Sequence, residues 1–319
     1  MGRTETGKDI QKAVKVLKKG GLVAIPTETV YGLAANALDP EAVTGIFEAK
    51  QRPSFDPLIV HTDTLDKVSS FTTHIPEKAR ILAEKFWPGP LTLVLEKQNI
   101  IPDIVSSGLT TVGVRMPNHP LTRELLSQID FPVAAPSANP FGYISPTSAE
   151  HVAAQLAEKV DYILDGGECK VGIESTIIGF DNEEPVILRL GGLSIDEIED
   201  VIGKVKIMPH SSSNPQAPGM LKSHYAPKKK FYLGEIDELL KDHPGEKVGV
   251  LTFEPMETGH PYHFALSKKG DMHEAAANLF SLMRKLDNSP IETIIAERVP
   301  DTGLGKAIND RLSRASAQS

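Results

Sequence analysis

The chain has 319 residues, and at about 150 residues per domain this length predicts two domains. Hydrophobic residues make up 40% and charged residues 24%, which excludes a wholly disordered chain, a collagen and a fibre. The single cysteine, Cys169, excludes an internal disulfide and a multi-cysteine zinc site, and it fits a reducing compartment. The formal charge of −8 disfavours nonspecific binding to nucleic acid, so we expect no stable nucleic-acid complex unless basic residues collect in one cleft.

The first ten residues, MGRTETGKDI, lack the hydrophobic core of a signal peptide. No apolar run reaches the roughly 18 residues that a membrane helix needs. We therefore expect a cytoplasmic protein without a membrane partner.

Short apolar runs alternate with helical patterns over the first two thirds of the chain. Ile10, Ala13, Val14 and Leu17 have the spacing of an amphipathic helix. Strands are predicted at residues 22–25, 58–60, 91–95, 112–114, 133–135, 162–164, 176–178 and 186–190. This alternation predicts an α/β domain that ends near residue 203, with a parallel or a mixed sheet.

Helix starts are marked by capping residues. Asp39 followed by Pro40 is typical of an N-cap and the first helical position. Further helices are predicted from Pro76 and around residues 125–129. Capping boxes are predicted at two sites, formed by Thr147 with Glu150 and by Ser194 with Glu197.

The regular pattern stops after residue 203. Residues 209–218 contain three prolines and three consecutive serines, a composition typical of a linker. Strand patterns return at residues 248–253 and 291–296, with a helical pattern at residues 276–283 between them. The sequence thus predicts a first domain over residues 1–203, a linker over 204–227 and a smaller α/β domain over 228–319.

Polar loops that directly follow strands are the candidate sites, because α/β folds bind ligands there. The first loop, Pro26–Leu33, holds Glu28 and Thr29 and is equally consistent with a capped turn. Lys50 and Arg52 follow near the end of the Asp39 helix. They are either partners of the helix dipole or a pair of cations for a polyphosphate.

His61 and Arg115 each follow an apolar strand. A lone histidine is usually structural, but a strand end also suits a ligand contact. An arginine that ends a buried strand needs an anionic partner, which is either a protein carboxylate or a ligand carboxylate.

The densest polar loop is Ala134–Asn139. Its small residues allow a ligand to approach the backbone, and Ser137 and Asn139 supply hydrogen-bonding groups for phosphate or for a metal-water shell. The alternative interpretation is a turn followed by a helix cap. Nearby sequence adds Ser145, Glu174, Ser175 and Arg189, and Glu28 and Glu174 are available for acid or metal roles.

Familiar nucleotide motifs are broken or missing. Gly2, Gly7 and Lys8 imitate a phosphate loop, but Asp9 replaces the magnesium-binding hydroxyl, and no strand precedes the loop. The segment Gly303–Gly305 is either an anion site or simply a turn that opens a helix.

Several ordered motifs together resemble one family, the threonylcarbamoyl-AMP synthases of the YrdC type in their long two-domain form. Over about residues 10–203 these motifs are PTETVYGLAANA, IFEAKQRP, PLIVH, WPGPLTLVL, TVGVRMP, AAPSAN, SPT and GIESTII. The family's Lys-x-Arg and Ser-x-Asn signatures stand at Lys50/Arg52 and Ser137/Asn139. The segments SHYAP and GLGKAINDRL resemble the family's C-terminal domain.

The resemblance implies a twisted YrdC-like mixed sheet with an open cavity, followed by a Rossmann-like α/β domain. It also implies synthesis of L-threonylcarbamoyl-AMP from L-threonine, bicarbonate and ATP, with release of pyrophosphate and with Mg²⁺ accompanying ATP. A downstream transferase would use the product to modify the adenosine beside the anticodon of certain tRNAs. No protein side chain is assigned to the metal, and no covalent nucleophile is expected.

The resemblance also implies roles for individual residues. The residues expected to hold L-threonine are Thr29, His61, Arg115, Ala135 and Ser175. Those expected to bind ATP are Lys50, Arg52, Asp56, Thr111, Ser137, Ser145, Arg189 and Tyr225. Asn139 joins Lys50, Arg52 and Ser137 as a catalytic residue near the phosphates. Tyr225 would reach over the nucleotide and make residues 204–227 a lid.

Three other functions stay open at this point. An RNA-binding or ribosome-maturation module is disfavoured by the acidic composition, and the run Lys228–Lys230 is explained by a solvated turn. A hydrogenase-maturation carbamoyltransferase would need zinc-finger cysteines that this chain lacks. A nucleotide-binding protein without catalysis is disfavoured by the two complete signatures.

Overall fold

The computed structural model describes residues 4–208, 217–218, 225–244 and 247–317. They form a large mixed sheet with helices, followed by a smaller parallel sheet with helices, which confirms the predicted α/β class. Within these residues no helix is long and apolar enough to cross a membrane.

The larger sheet contains eleven strands in the described residues. They are β1 (Thr6–Gly7), β2 (Val23–Ile25), β3 (Gly32–Asn36), β4 (Ile59–His61), β5 (Leu91–Glu96), β6 (Thr111–Arg115), β7 (Val133–Ala134), β8 (Tyr162–Leu164), β9 (Thr176–Asp181), β10 (Glu184–Arg189) and β11 (Lys206–Ile207). Their order is β1-β8-β2-β3-β7-β4-β6-β5-β9-β10-β11. The sheet contains parallel pairs such as β4 with β6 and antiparallel pairs such as β5 with β6, so it is mixed.

Eight helices of the described chain accompany this sheet. They are α1 (Ile10–Lys18), α2 (Pro40–Lys50), α3 (Leu65–Phe71), α4 (Glu77–Phe86), α5 (Asp103–Ser106), α6 (Pro120–Ser127), α7 (Ala149–Leu156) and α8 (Ile195–Ile202). The amphipathic spacing of α1 buries Ala13, Val14 and Leu17 as predicted. Asp39 caps α2 by accepting hydrogen bonds from the backbone of Glu41 and Ala42.

One of the two predicted capping boxes is present. Ser194 and Glu197 form it at the start of α8. The box predicted for Thr147 with Glu150 is wrong, because Ser148 is the N-cap of α7 and its hydroxyl accepts from the backbone of His151 at 3.3 Å. Thr147 and Ser148 both carry a hydroxyl of the kind that caps a helix. The extended backbone at Ser148 makes that residue the N-cap.

Two hydrophobic clusters cover opposite faces of the larger sheet. In β2, Ala24 belongs to one cluster, whereas its neighbours Val23 and Ile25 belong to the other. Successive strand side chains point to opposite faces, so each strand contributes to both cores.

The smaller sheet has the strand order β12-β15-β13-β14, with all pairs parallel. Its strands are β12 (Lys230–Leu233), β13 (Val248–Thr252), β14 (His263–Ala265) and β15 (Thr293–Ala296). The accompanying helices are α9 (Ile236–Asp242), α10 (Met272–Asp287) and α11 (Gly305–Ser316). Parallel strands, with helices between β12 and β13 and between β14 and β15, make this the predicted small Rossmann-like unit, and Gly303–Gly305 is the turn that opens α11.

The two sheets share a continuous apolar contact. We call residues 4–208, which form the larger sheet and its helices, the first region, and the residues from 225 onward the second region. One core cluster joins Leu279 and Phe280 of α10 to three residues of the first region, Val30, Ile144 and Ile173. Gly172, whose φ of +76° is natural for glycine, brings its loop so close that a Cβ would lie 2.4 Å from the Cα of Ala277. The second region is therefore packed against the loops that carry the candidate site.

The predicted domain boundaries stay predictions. Strand β11 pairs with β10 at residues 206–207, just past residue 203. Most of the predicted linker and lid, residues 209–216 and 219–224, lies outside the described residues. The same holds for Gly2 of the broken phosphate loop and for the first two residues of SHYAP.

Candidate active site

A cavity opens at the carboxyl ends of β4 and β6. His61 and Arg115 end these parallel strands and are register partners, so their side chains meet at one edge of the sheet. The cavity holds about 540 Å³, counting the space open to solvent. Eight of the predicted ligand-binding residues line it: Arg52, His61, Arg115, Ala135, Ser137, Ser175, Arg189 and Tyr225.

The Arg115 guanidinium lines the cavity and is held by three protein groups. Nη1 donates to the hydroxyl of Thr29 at 2.8 Å, Nε donates to the carbonyl of Gly89 at 3.3 Å, and Nη2 lies 2.7 Å from Oε1 of Glu28. The protein carboxylate that the sequence left open as a partner is therefore Glu28. Thr29 is predicted to bind threonine. It contacts Arg115, but it is not among the described residues that line the cavity.

His61 presents a neutral imidazole beside Arg115. Its Nδ1 lies 3.3 Å from the carbonyl of Ile59. Burial, and then the nearby charge of Arg115, lower the pKa of His61 to about 3. At neutral pH it is thus an uncharged hydrogen-bonding group.

Arg52 also lines the cavity and has a buried carboxylate behind it. Its Nη2 lies 2.9 Å from Oδ2 of Asp56, and it donates to the carbonyls of Asp56 at 3.0 Å and Pro57 at 2.8 Å. Burial raises the pKa of Asp56 in spite of the opposing charge of Arg52. The predicted ATP contact of Asp56 stays a prediction, since its observed partner is Arg52.

Lys50 fixes the Ser-x-Asn loop from behind. Its ammonium group donates to the carbonyl oxygens of Ser137 and Asn139, at 2.5 Å each. Burial, and then the charge of Arg52, lower the pKa of Lys50 well below its usual value. Within the described residues Ser137 faces the cavity, and Lys50 reaches it only through this loop.

Asn139 is held by its amide nitrogen, which donates to the carbonyls of Pro140 at 3.0 Å and Tyr143 at 2.8 Å. Its buried Oδ1 has no hydrogen-bond partner among the described residues. Asn139 is not among the described residues that line the cavity, and its predicted catalytic role stays a prediction.

Arg189 and Ser175 form another part of the cavity wall. Arg189 donates through Nε and Nη2 to the carbonyl of Ser175, and Nη2 also reaches the Ser175 hydroxyl at 3.1 Å. Nη1 donates to the carbonyl of Pro218 at 3.2 Å. Pro218 and Tyr225 line the cavity, so described parts of the 204–227 segment reach the site.

Ser145 and Thr111 lie apart from the cavity lining of the described chain. Ser145 donates its hydroxyl to Oε1 of Glu174 at 2.5 Å, and it is Glu174 that lines the cavity. Thr111 begins β6 and lies four residues, about 13 Å along a strand, from Arg115. Their ATP contacts stay predictions.

Each carboxylate considered for an acid or metal role is paired with an arginine. Glu28 contacts Arg115, and Oε2 of Glu174 lies 3.1 Å from Nη2 of Arg311. Among the residues that the structure describes, no group of three or more His, Cys, Asp or Glu side chains is arranged to hold a metal. The Cys169 thiol is buried and outside the described lining, and burial raises its pKa.

Comparison with known proteins decides the family. Residues 15–191 match the family model described as "Telomere recombination" (Sua5/YciO/YrdC), and residues 193–317 match the "Threonylcarbamoyl-AMP synthase, C-terminal domain". The threonylcarbamoyl-AMP synthase of Pyrococcus abyssi is 44% identical over 96% of this chain and 94% of its own length. That of Bacillus subtilis is 41% identical over 96% of this chain and 92% of its own length.

The chain belongs to the threonylcarbamoyl-AMP synthase family. It is an enzyme of the long two-domain form, as the resemblance implied. The crystal structure of P. abyssi Sua5 complexed with L-threonine superposes with a TM-score of 0.92 at 42% identity, covering 98% of this chain and 96% of that one. Escherichia coli YciO, 24% identical with a TM-score of 0.53 over 59% of this chain and 96% of its own, shares the fold of the first region.

Other cavity-lining residues of this synthase-family chain carried no assigned role in the sequence. Thr27, Val30 and Gly32 belong to the loop Pro26–Leu33, which the sequence predicts as a candidate site. Gly32 is also the first residue of β3. Glu174 was noted only as an available carboxylate. Arg311, which holds it, lies in the recognised GLGKAINDRL segment, and no local pattern relates it to a residue 137 positions earlier.

Proposed function

We propose that this enzyme makes L-threonylcarbamoyl-AMP from L-threonine, bicarbonate and ATP and releases pyrophosphate. One observation carries the proposal: three buried arginines, Arg52, Arg115 and Arg189, line a single cavity. The proposed substrates bring one carboxylate and one triphosphate, which are the anions that arginine binds best.

The proposed reaction requires little covalent catalysis by the protein. The threonine amine and bicarbonate give a carbamate and water. A carbamate oxygen then attacks the α-phosphorus of ATP as the bond to pyrophosphate breaks. Such a transfer needs positioning, charge stabilisation and shielding of the unstable carbamate from water.

The amino-acid end of the cavity is proposed around Arg115. Its guanidinium would bind the threonine carboxylate, with neutral His61, Ala135 and Ser175 around the rest of the molecule and Thr29 holding Arg115. The P. abyssi Sua5 structure with L-threonine supports this choice of substrate.

The nucleotide end is proposed around Arg52, Ser137, Arg189 and Tyr225, with Lys50 holding the loop of Ser137. Mg²⁺ would arrive with ATP, and it would neutralise phosphate charge. The buried oxygen of Asn139, next to the Ser137 loop, has no partner among the described residues and is of the chemical type that Mg²⁺ prefers, although Asn139 itself is not in the described lining.

The product carries an activated acyl group. A mixed carboxylic–phosphoric anhydride of this kind is a donor for acyl transfer, so we propose that a downstream transferase passes the threonylcarbamoyl group to tRNA. The net charge of −8 supports an enzyme that forms no stable complex with the nucleic acid itself.

The test is pyrophosphate release from ATP with magnesium and bicarbonate, measured with L-threonine, without it and with L-serine. Release that requires L-threonine is the expected result. Release that ignores threonine would assign another acceptor, and ATP binding without any release would contradict the proposed reaction.

A further inference from the structure

A carboxylate in the cavity wall is held by the second domain. Oε2 of Glu174 accepts hydrogen bonds from Nη2 of Arg311 at 3.1 Å and from Nε at 3.2 Å. Oε1 accepts the hydroxyl of Ser145. Arg311 comes from α11 and is fully buried, so this ion pair joins the first region to the last helix.

The same guanidinium contacts two further parts of the cavity wall. Nη1 donates to the carbonyl of Leu190 at 2.6 Å, directly after Arg189. The guanidinium carbon lies 5.2 Å from the centre of the Tyr225 ring, a cation–π distance. Asp310 completes its surroundings at 3.1 Å from Nη1. One side chain of α11 thus touches three separate segments of the wall.

We propose that Arg311 is a positioning residue for ATP binding, which it controls by neutralising Glu174. The identity of the ligand rests on the proposed function above. Glu174 borders a cavity that would receive a polyanion, and a buried carboxylate without its cation repels phosphate. The second domain then takes part in catalysis by cancelling one charge in the wall of the first.

The decisive variant is Arg311→Met, which keeps an unbranched side chain about as long as the aliphatic stem of arginine and removes the charged guanidinium. Titration calorimetry should show ATP affinity reduced about tenfold or more, whereas L-threonine affinity changes less than about threefold. Adding Glu174→Gln removes the unpaired anion, and ATP affinity should return to within about threefold of the wild type. A purely structural role for Arg311 predicts instead that Arg311→Met weakens ATP and L-threonine binding equally.

Arg284→Met is the matched control. Arg284 is also a buried arginine of the second domain that crosses the contact, but it donates to a backbone carbonyl, that of Ile144, at 2.6 Å. Its loss leaves no unpaired carboxylate in the cavity, so ATP affinity should stay within about threefold.

Glu174→Gln alone tests the proposal even where Arg311→Met does not fold. Arg311 keeps Asp310, and we expect ATP affinity equal to or above that of the wild type. A tenfold loss of ATP affinity in this variant, equal losses of both ligands in Arg311→Met, or no recovery in the double variant would overturn the inference. Wild-type chain that binds both ligands yet releases no pyrophosphate would instead contradict the proposed function.

Discussion

Two walls of the cavity use the same pair of groups in opposite orientations. In the first wall Arg52 and Arg115 face the cavity, and their carboxylates, Asp56 and Glu28, lie behind them. In the second wall it is the acidic residue, Glu174, that lines the cavity, and its arginine, Arg311, is not among the described lining residues. A buried arginine–carboxylate pair can therefore present either charge to a ligand, and the member that lines the cavity decides which.

The orientation of each arginine–carboxylate pair also determines whether the arginine affects ligand binding directly or through its carboxylate. An arginine that faces the cavity is itself available to an anionic ligand, so removing its charge removes a contact. The charge of an arginine behind a carboxylate acts on the ligand by neutralising that carboxylate, so we expect neutralising both groups together to leave ligand binding largely intact. Double substitutions can therefore distinguish the two walls.

The largest effect is expected for Arg115→Ala in the first wall. It removes the proposed partner of the threonine carboxylate and leaves Glu28 as a buried anion beside it, at a cost of about 3 kcal/mol or more, equivalent to about 100-fold. The KM for L-threonine should rise by about that factor, with the ATP dissociation constant changed less than about threefold. Equal losses for both ligands would show that the cavity is not divided as proposed.

Arg52→Met should weaken ATP use by about 50-fold, because a charge-assisted contact to phosphate is lost and Asp56 is left unpaired. Adding Asp56→Asn should recover the free energy of unfolding, measured by urea denaturation, without recovering ATP use. If ATP use recovered together with the free energy of unfolding, this pair would behave like Arg311–Glu174, for which ATP binding is expected to return. The proposed difference between the two walls would then be wrong.

The lowered pKa of His61 predicts how the stability of the protein changes as the pH falls. An unfolded chain protonates this histidine below a pKa of about 6.5, but the folded chain keeps it neutral down to about 3. Its contribution to stability is therefore complete above pH 6.5 and is lost as the pH falls from there towards 3.

The measurement compares wild type with His61→Gln by urea unfolding at about pH 7 and about pH 4.5. The wild type should lose roughly 2–3 kcal/mol more than the variant over this range. Other histidines, such as the half-buried His151, contribute equally to both chains, so equal losses would mean that His61 is protonated in the folded state.

The smallest effect is expected for Cys169→Ala, because Cys169 is not among the described residues that line the cavity. The thiol is buried, so stability should fall by about 1 kcal/mol. Pyrophosphate release should stay within about twofold of the wild type, because the proposed transfer forms no bond to the protein. A loss of activity beyond tenfold in a folded variant would assign the thiol a chemical role.

Local patterns predicted much of the fold. The apolar spacing of α1, the Asp39 cap of α2 and the Ser194 capping box all depend on residues within one or two turns of one another. The Thr147 prediction failed because two neighbouring hydroxyls satisfied the same local rule. The β3 strand was missed because its start lies inside a polar loop, and one of its two pairing partners, β7, is distant in the chain.

The sequence by itself determined the α/β class, the family and the polar loops that converge on one cavity, since strand ends and motif residues can be recognised locally. Only the tertiary structure decided which charge each ion pair presents. Arg52 and Asp56 are four residues apart, yet their spacing does not say which of them faces a ligand. Glu174 and Arg311 are brought together by the packing of α10 and α11 against the first region, because a buried charge is stable only where the fold supplies its partner.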